Sequence, residues 1–175
     1  MTLSHPKQLF VPLLAALTLT SPLALAGHTN TVLTTDLYGT EEVSSGPGNA
    51  IAGDPNGRGE AYVFGIDGDP LTLCYVLTVE KIQQVPVGAG MAAHIHEGAR
   101  GSNGPVVANL AGPEDGNAGD CLSEYEDGKF PTMEPGLVQR ILENPEQFYI
   151  NVHNPQYPSG AIRGQLRYQD PRHKH

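Results

Sequence analysis

Two histidines separated by one residue, His94 and His96, have the spacing of side chains that bind one metal ion from a single strand. They lie in the stretch Met91-Ala-Ala-His-Ile-His-Glu-Gly98. Successive side chains of a β-strand point to opposite faces, so a strand here places both imidazoles on one face and Ile95 on the other. Taken alone, this stretch is either half of a metal site or a solvated polar strand face.

A third histidine, His153, lies in a stretch with the same alternation, Phe148-Tyr-Ile-Asn-Val-His153. The apolar residues of this stretch form one face, and His153 lies on the other. The same pattern in Ala161-Ile-Arg-Gly-Gln-Leu166 places Arg163 opposite the apolar side chains of its strand. If these strands are neighbours, three imidazoles and one guanidinium meet on the outer wall of the protein. We therefore predict a surface three-histidine metal site.

The first 26 residues have the pattern of a secretion signal. Lys7 is the only charged side chain, an apolar run extends from about Leu9 through Leu19, and small residues in Ala24-Leu-Ala26 precede the expected cleavage. The apolar run is too short for a permanent membrane anchor, and no other segment could cross a bilayer. We expect a mature chain that starts at Gly27 and is periplasmic or secreted.

Copper is the expected metal and zinc the second choice, because three imidazoles without thiolate in an oxygen-exposed protein suit these ions. Glu97 points to the opposite face and is at most a hydrogen-bonding partner of a ligand. Met91 is either a soft ligand for Cu(I) or a packing residue, and His28 could chelate weakly through the terminal amine. Arg163 lies on the same face as the histidines, where it could be a structural ion-pair partner for a nearby acid.

Charge and cysteine content limit the kinds of partner that the protein is expected to bind. The chain has 10 Lys and Arg against 19 Asp and Glu, a net charge of −9, without a basic cluster. This disfavours nucleic acid and anionic lipid as partners. The two cysteines, Cys74 and Cys121, favour a disulfide over soft-metal ligation in an oxidising compartment. A second copy of the chain could complete an exposed three-ligand site, so a homo-oligomer stays open.

Short strands joined by turns are predicted along residues 27–168, which we expect to form one domain. The chain has 21 glycines, 15 prolines and no tryptophan, and no long stretch keeps a helical period. These features predict an all-β fold, a Greek-key or immunoglobulin-like sandwich or a flattened barrel. One short helix is predicted in Glu134–Asn144, ended by Pro145, and residues 169–175 are predicted to be a flexible tail.

The predicted strands are Val32–Tyr38, Gly59–Ile66, Leu71–Glu80, Ala92–His96, Val106–Leu110, Gln147–His153 and Ala161–Arg167. The second and third are predicted to form a hairpin across Asp67-Gly-Asp-Pro70. Long loops are predicted at Ser44–Arg58 and Ala111–Pro131, and a turn at Tyr157–Gly160.

The sequence resembles the CHRD domain, the module named after chordin and common in exported bacterial proteins. The resemblance covers nearly the whole mature chain, and it implies the domain but little about activity. The stretches that carry it are Leu37-Tyr-Gly-Thr-Glu-Glu-Val43, Gly59-Glu-Ala-Tyr62, Leu73-Cys-Tyr-Val-Leu-Thr-Val79, Ala92-Ala-His-Ile-His-Glu-Gly98, Gly104-Pro-Val-Val107, Tyr149-Ile-Asn-Val-His-Asn154 and Tyr157-Pro-Ser-Gly-Ala-Ile-Arg-Gly-Gln-Leu166.

A fainter resemblance is to Cu,Zn superoxide dismutases, which also carry an H-x-H-E strand, a later histidine and a Gly-x-x-Arg stretch. It implies a superoxide-dismutase-like barrel with His94, His96 and His153 as copper ligands and Arg163 as the guiding cation. No histidine lies between His96 and His153, so the bridging and zinc-site histidines of those enzymes have no counterpart here.

Three functions remain open on the sequence. The first is an exported copper-binding protein for storage, delivery or sequestration. The second is a copper oxidoreductase such as a copper-only superoxide dismutase. The third is a structural or protein-binding module without metal.

Overall fold

A computed structural model describes Met1, residues 31–44 and residues 52–170. The predicted signal segment, His28 and residues 171–175 of the predicted tail lie outside the described residues, apart from Met1. Single-turn 3-10 helices occur at Gly39–Glu41, Val87–Ala89 and Pro145–Gln147. The other elements are β1 (Val32–Tyr38), β2 (Arg58–Ile66), β3 (Asp69–Glu80), β4 (Ala92–Glu97), β5 (Val106–Leu110), β6 (Asn117–Ser123), α1 (Leu137–Glu143), β7 (Phe148–Asn154), β8 (Tyr157–Gln165) and β9 (Arg167–Tyr168).

The strands form one antiparallel sheet in the order β5-β4-β7-β8-β1-β2-β3-β6, and β9 pairs with β1. The chain after β6 bridges the gap between the two end strands, since the Asn109 amide donates to the Lys129 carbonyl at 2.8 Å. The Ala111 amide donates to the hydroxyl of Tyr75 on β3 at 2.6 Å. The sheet therefore curls into a nearly closed, flattened barrel. The all-β prediction is confirmed.

Apolar side chains from alternate strand positions fill the barrel, as the period of two predicts. The core includes Leu33, Leu37, Val63, Leu73, Leu77, Ile95, Phe148, Ile150 and Val152. Helix α1 buries Leu137, Val138, Ile141 and Leu142 against it. The described helices include none that is long and apolar enough to span a membrane.

A buried carboxylate positions the start of α1. Glu124, 4% exposed, accepts hydrogen bonds from the Gly136 amide at 2.9 Å and the Val138 amide at 2.7 Å. The first amides of a helix have no partner within the helix, so this contact satisfies two donors. Gly136 adopts a left-handed conformation with φ 81°. The helix consequently begins at Leu137, three residues later than predicted.

Most predicted strands are confirmed, but two sequence predictions are wrong. The predicted loop Ala111–Pro131 contains β6, an edge strand whose side chains are mostly exposed, so it carries no regular apolar alternation. The predicted turn Tyr157–Gly160 forms the first part of β8 instead, and the β7–β8 turn lies at residues 155 and 156. The predicted hairpin of β2 and β3 is confirmed, with its turn at Asp67 and Gly68.

The predicted disulfide between Cys74 and Cys121 is confirmed. The two cysteines are direct partners in the register of β3 and β6. Cys74 is 3% exposed, whereas Cys121 lies on the exposed side of the edge strand. The cross-link thus holds the last strand of the sheet to its single neighbour.

Candidate metal site

The three predicted histidines lie together on the outer face of β4 and β7. These two strands are antiparallel neighbours, and Ala92 of β4 pairs with His153 of β7. His94 and His96 follow on the same face of β4. The ring centroids are 5.7 Å apart for His94 and His96, 5.1 Å for His94 and His153, and 6.2 Å for His96 and His153. The predicted convergence of three imidazoles is therefore present.

One nitrogen from each ring lies within 4.8 Å of the other two. His94 Nδ1, His96 Nε2 and His153 Nε2 are buried and have no hydrogen-bond partner among the described residues. A cluster of this kind is able to hold a cation, because the lone pair of a neutral imidazole is a metal ligand.

Backbone carbonyls determine which nitrogen carries the proton in two of the rings. His96 Nδ1 lies 2.9 Å from the Gly104 carbonyl, and His153 Nδ1 lies 3.1 Å from the Pro158 carbonyl. A carbonyl oxygen only accepts, so each Nδ1 must carry the hydrogen. Nε2 of His96 and of His153 is then left with a lone pair. Such hydrogen bonds commonly orient metal-binding histidines.

All three imidazoles are held in their neutral form. Burial lowers the pKa of His94 to about 4, and the neighbouring His153 and His96 contribute. Burial also lowers the pKa values of His96 and His153, although their carbonyl hydrogen bonds act in the opposite direction. Desolvation disfavours the charged imidazolium, so the lone pairs persist at neutral pH.

The loop of residues 98–105 between β4 and β5, which we name the cover loop, folds over the outer face of the sheet. The Gly104 amide donates to the Tyr149 hydroxyl at 3.1 Å, and Gln165 Nε2 donates to the Gly98 carbonyl at 3.0 Å. Tyr149 is only 2% exposed although it faces outward. The cluster is therefore half-buried, in contrast to the open surface site that we predicted from strand alternation.

Arg163 lies beneath the cover loop with 2% of its surface exposed. It is the register partner of Asn151 on β7, and Asn151 is also the register partner of His94. Its guanidinium donates to the Ala99 and Ser102 carbonyls at 3.3 and 2.7 Å and to Asn103 Oδ1 at 3.3 Å. These contacts give Arg163 a structural role, and its catalytic role stays a prediction.

Glu42 and Asn151 form a second buried polar contact near the cluster. Asn151 is 4% exposed, and its Nδ2 donates to Glu42 Oε2 at 3.2 Å. Burial raises the pKa of Glu42 to about 7, against the effects of Arg163 and Asn151. Alternation in β7 placed Asn151 on the histidine face, but the sequence carries no local signal that brings Glu42 to it from a distant segment.

Glu97 on β4 and Met91 just before it, the two further residues considered as contributors to the site, point away from the cluster. Glu97 Oε2 pairs with Arg140 Nη2 on α1 at 2.8 Å. Met91 is 1% exposed and belongs to the hydrophobic core. The side-chain directions expected from alternation thus hold for Glu97, and Met91 packs in the interior.

Replacing Gly104 with alanine should displace the cover loop from His96. A Cβ at this position would overlap the Glu97 carbonyl, which belongs to the backbone and has little freedom to move. We expect the free energy of unfolding to fall by about 2 kcal/mol, because buried hydrogen-bonding groups lose their partners. We also expect nitrogen-15 NMR of the His96 ring to show loss of the Nδ1–H to Gly104 hydrogen bond.

Gly88→Ala is the matched control, since a Cβ there would meet no atom within 4 Å. Its stability and the His96 ring signals should equal those of the parent protein. A Gly104→Ala protein with parental His96 signals would contradict the assigned role of the loop.

Fold and cluster together define an all-β domain with a half-buried three-histidine cluster on its outer wall. The sequence profile of the CHRD domain matches residues 33–166, and the chain belongs to the CHRD domain family. The comparison with curated proteins finds no match, and neither does the comparison with solved structures. The match supports the CHRD resemblance, whereas the likeness to Cu,Zn superoxide dismutases stays a prediction.

Proposed function

We propose that this protein is an exported copper-binding protein that holds one copper ion through His94, His96 and His153 for storage, delivery or sequestration. Two observations support this most: each histidine offers one ligand nitrogen within 4.8 Å of those of the other two. Each ring also has a buried nitrogen without a hydrogen-bond partner among the described residues. Buried polar atoms are nearly always paired, and leaving one unpaired costs about 1–3 kcal/mol. A bound cation would satisfy all three nitrogens at once.

The spacing of the nitrogens is compatible with one ion after a small movement of the rings. Metal–imidazole bonds are about 2.0 Å long, which places ligand nitrogens about 3 to 4 Å apart. The rings would therefore approach one another by about 1 Å from their spacing in this structure. Carbonyl contacts at His96 and His153 restrict this movement to small rotations of the side chains.

Copper is favoured over zinc by the donor set and the expected compartment. An all-imidazole site has intrinsic preference for Cu(II) over other divalent ions of the first transition row. Both cysteines are joined in a disulfide, so they supply no thiolate, and a disulfide is typical of exported proteins. These features support a periplasmic or secreted copper protein, with zinc as the second choice.

Copper titration of the mature protein, followed by calorimetry and electron paramagnetic resonance, tests the proposal. We expect one Cu(II) per chain with nitrogen hyperfine structure. His94→Ala and His153→Ala should each weaken binding by about 100-fold or more, because each removes one of the three ligand bonds to the ion. Parallel titrations with zinc establish which of the two ions is preferred.

The control variant replaces His28, His173 and His175 with alanine together, since terminal histidines also chelate copper. It should bind the first copper as the parent does. Parental binding by His94→Ala and His153→Ala would disprove the assigned site. A protein that is metal-free in its native compartment, fully folded and unchanged in thermal stability by copper would favour a structural or protein-binding module.

A further inference from the structure

We propose that Arg163 is a positioning residue for the metal site. It fixes the cover loop, and through this loop and the Tyr149 ring it sets the tautomer and the plane of the His96 imidazole. The consequence for metal affinity rests on the proposed copper function, whereas the effect on His96 itself does not.

The first step runs from Arg163 to the cover loop. Its guanidinium donates to the backbone at both ends of the loop's central turn, at Ala99 and Ser102, and to the side chain of Asn103. Asn103 Nδ2 in turn donates to the Val43 carbonyl at 3.2 Å. A planar guanidinium offers several donors in fixed directions, which one ammonium group cannot reproduce. Arg163 therefore determines the position of the residue before Gly104.

The second step runs from the cover loop to His96. The Gly104 carbonyl accepts from His96 Nδ1 at 2.9 Å, and the Gly104 amide donates to the Tyr149 hydroxyl at 3.1 Å. The backbone carbonyl and amide of Gly104 thus both contact side chains on the outer face of the sheet. When the carbonyl is in place the proton stays on Nδ1, and Nε2 keeps its lone pair toward His94 and His153.

The third step is a direct stack of side chains. The His96 and Tyr149 rings have centroids 4.8 Å apart and an angle of 8° between their planes. The Arg163 guanidinium carbon lies 3.4 Å from the Tyr149 ring centroid. The Tyr149 ring on β7 thus contacts both the His96 ring on β4 and the Arg163 guanidinium on β8. Rotation of the His96 ring therefore breaks its stack with Tyr149, a ring that Arg163 helps to hold in place.

This arrangement gives Arg163 a role different from that of a cation guiding an anion to the metal. Its surface is 2% exposed, and its donors are directed to the cover loop. A cation that guides an anion must be accessible from solvent. A positioning residue instead has its donors occupied by hydrogen bonds within the protein.

Two variants test the proposal, with nitrogen-15 NMR of the histidine rings in metal-free protein and Cu(II) affinity as the readouts. Arg163→Lys should convert His96 to a mixture of tautomers and weaken Cu(II) binding by about 10- to 100-fold. Asn103→Ala removes the contacts of this loop residue with Arg163 Nη1 and with the Val43 carbonyl but keeps the guanidinium itself, and should weaken binding by about fivefold. The tautomer of His153 should stay unchanged in both, because its partner is the Pro158 carbonyl.

Arg167→Lys is the matched control, since Arg167 is exposed and pairs with Asp36 on another part of the sheet. It should leave both readouts unchanged. If Arg163→Lys is unfolded, Asn103→Ala alone decides the question. Parental His96 signals and affinity in the folded variants would overturn the proposal while copper binding by the parent protein stands. If the parent binds no copper, the proposed function fails, and the His96 tautomer still tests the role of Arg163.

Discussion

Replacing Cys74 and Cys121 together with alanine should lower the free energy of unfolding by about 4 kcal/mol. The disulfide joins residues 47 positions apart. A cross-link over such a loop removes conformational entropy from the unfolded chain, which accounts for about 4 kcal/mol in the loop-closure model. Domains of this size are stable by about 5–15 kcal/mol, so the double variant loses a large part of its stability.

The same double variant should keep the metal affinity of the parent wherever it is folded. The disulfide joins β3 and β6 at one end of the sheet, whereas the histidines lie on β4 and β7. Urea denaturation of metal-free protein measures the first effect, and copper titration in the absence of urea measures the second. The parent protein after chemical reduction is the control for the lost sulfur atoms. A stability change below about 1 kcal/mol, or a joint loss of copper affinity, would contradict the prediction.

Strand alternation predicted the faces of the site because it depends only on neighbours along the chain. The period of two places His94 and His96 together and separates both from Ile95, and no tertiary contact is needed for this. The pairing of β4 with β7, which brings His153 beside them, is a contact between residues more than 50 positions apart. The predicted convergence of the three histidines depended on this pairing, and the structure contains it.

The surroundings of the histidines could not be predicted in the same way. The groups that fix the tautomers of His96 and His153 are carbonyl oxygens of Gly104 and Pro158, and backbone atoms are common to every residue. Alternation assigned Tyr149 to the outward face correctly. It could not indicate that the cover loop would bury that face, because a loop with few apolar residues gives no periodic signal. The predicted open site is consequently a half-buried one.

The missed strand β6 has a related physical cause. Its outward side chains are polar, and it is held by backbone pairing with β3 and by the disulfide. Edge strands need not bury both faces, so hydrophobic pattern is weakest where the sheet ends. Pairing of Cys121 with Cys74 is the feature that the sequence did indicate, and it brings this segment to the sheet.

Affinity for Cu(II) should be nearly independent of pH above about 6.5 and should fall steeply between about pH 6 and pH 4. Copper competes with protons only where an imidazole is protonated in the metal-free protein. Burial lowers the pKa values of all three histidines, that of His94 to about 4. Once all three are protonated, affinity should fall by up to about a thousandfold per pH unit, because three protons must leave.

Stability of the metal-free protein depends on the same histidines with a definite sign. Their folded-state pKa values lie below the unfolded value of 6.5, so the unfolded chain binds more protons in this range. The contribution of the neutral imidazoles to the free energy of unfolding is complete above pH 6.5 and is lost as the pH falls toward 4. Glu42 acts in the opposite sense, because burial raises its pKa from 4.5 to about 7. The contribution of the protonated Glu42 carboxyl to the free energy of unfolding is complete below pH 4.5 and is lost as the pH rises through 7.

The Glu42→Gln variant separates these two effects, since it removes one titrating group and keeps a polar side chain of the same size. In this variant stability should fall more clearly between pH 6.5 and pH 4 than in the parent, where Glu42 compensates. Competition titrations with copper from pH 4 to pH 8, together with NMR titration of the histidine rings, measure the affinity and the pKa values independently. Ring pKa values of about 6.5 for His94, His96 and His153 in the NMR titration would show that the imidazoles are not held neutral by burial. In that case the cover loop would leave the cluster open to water, and the half-buried site would not exist in solution.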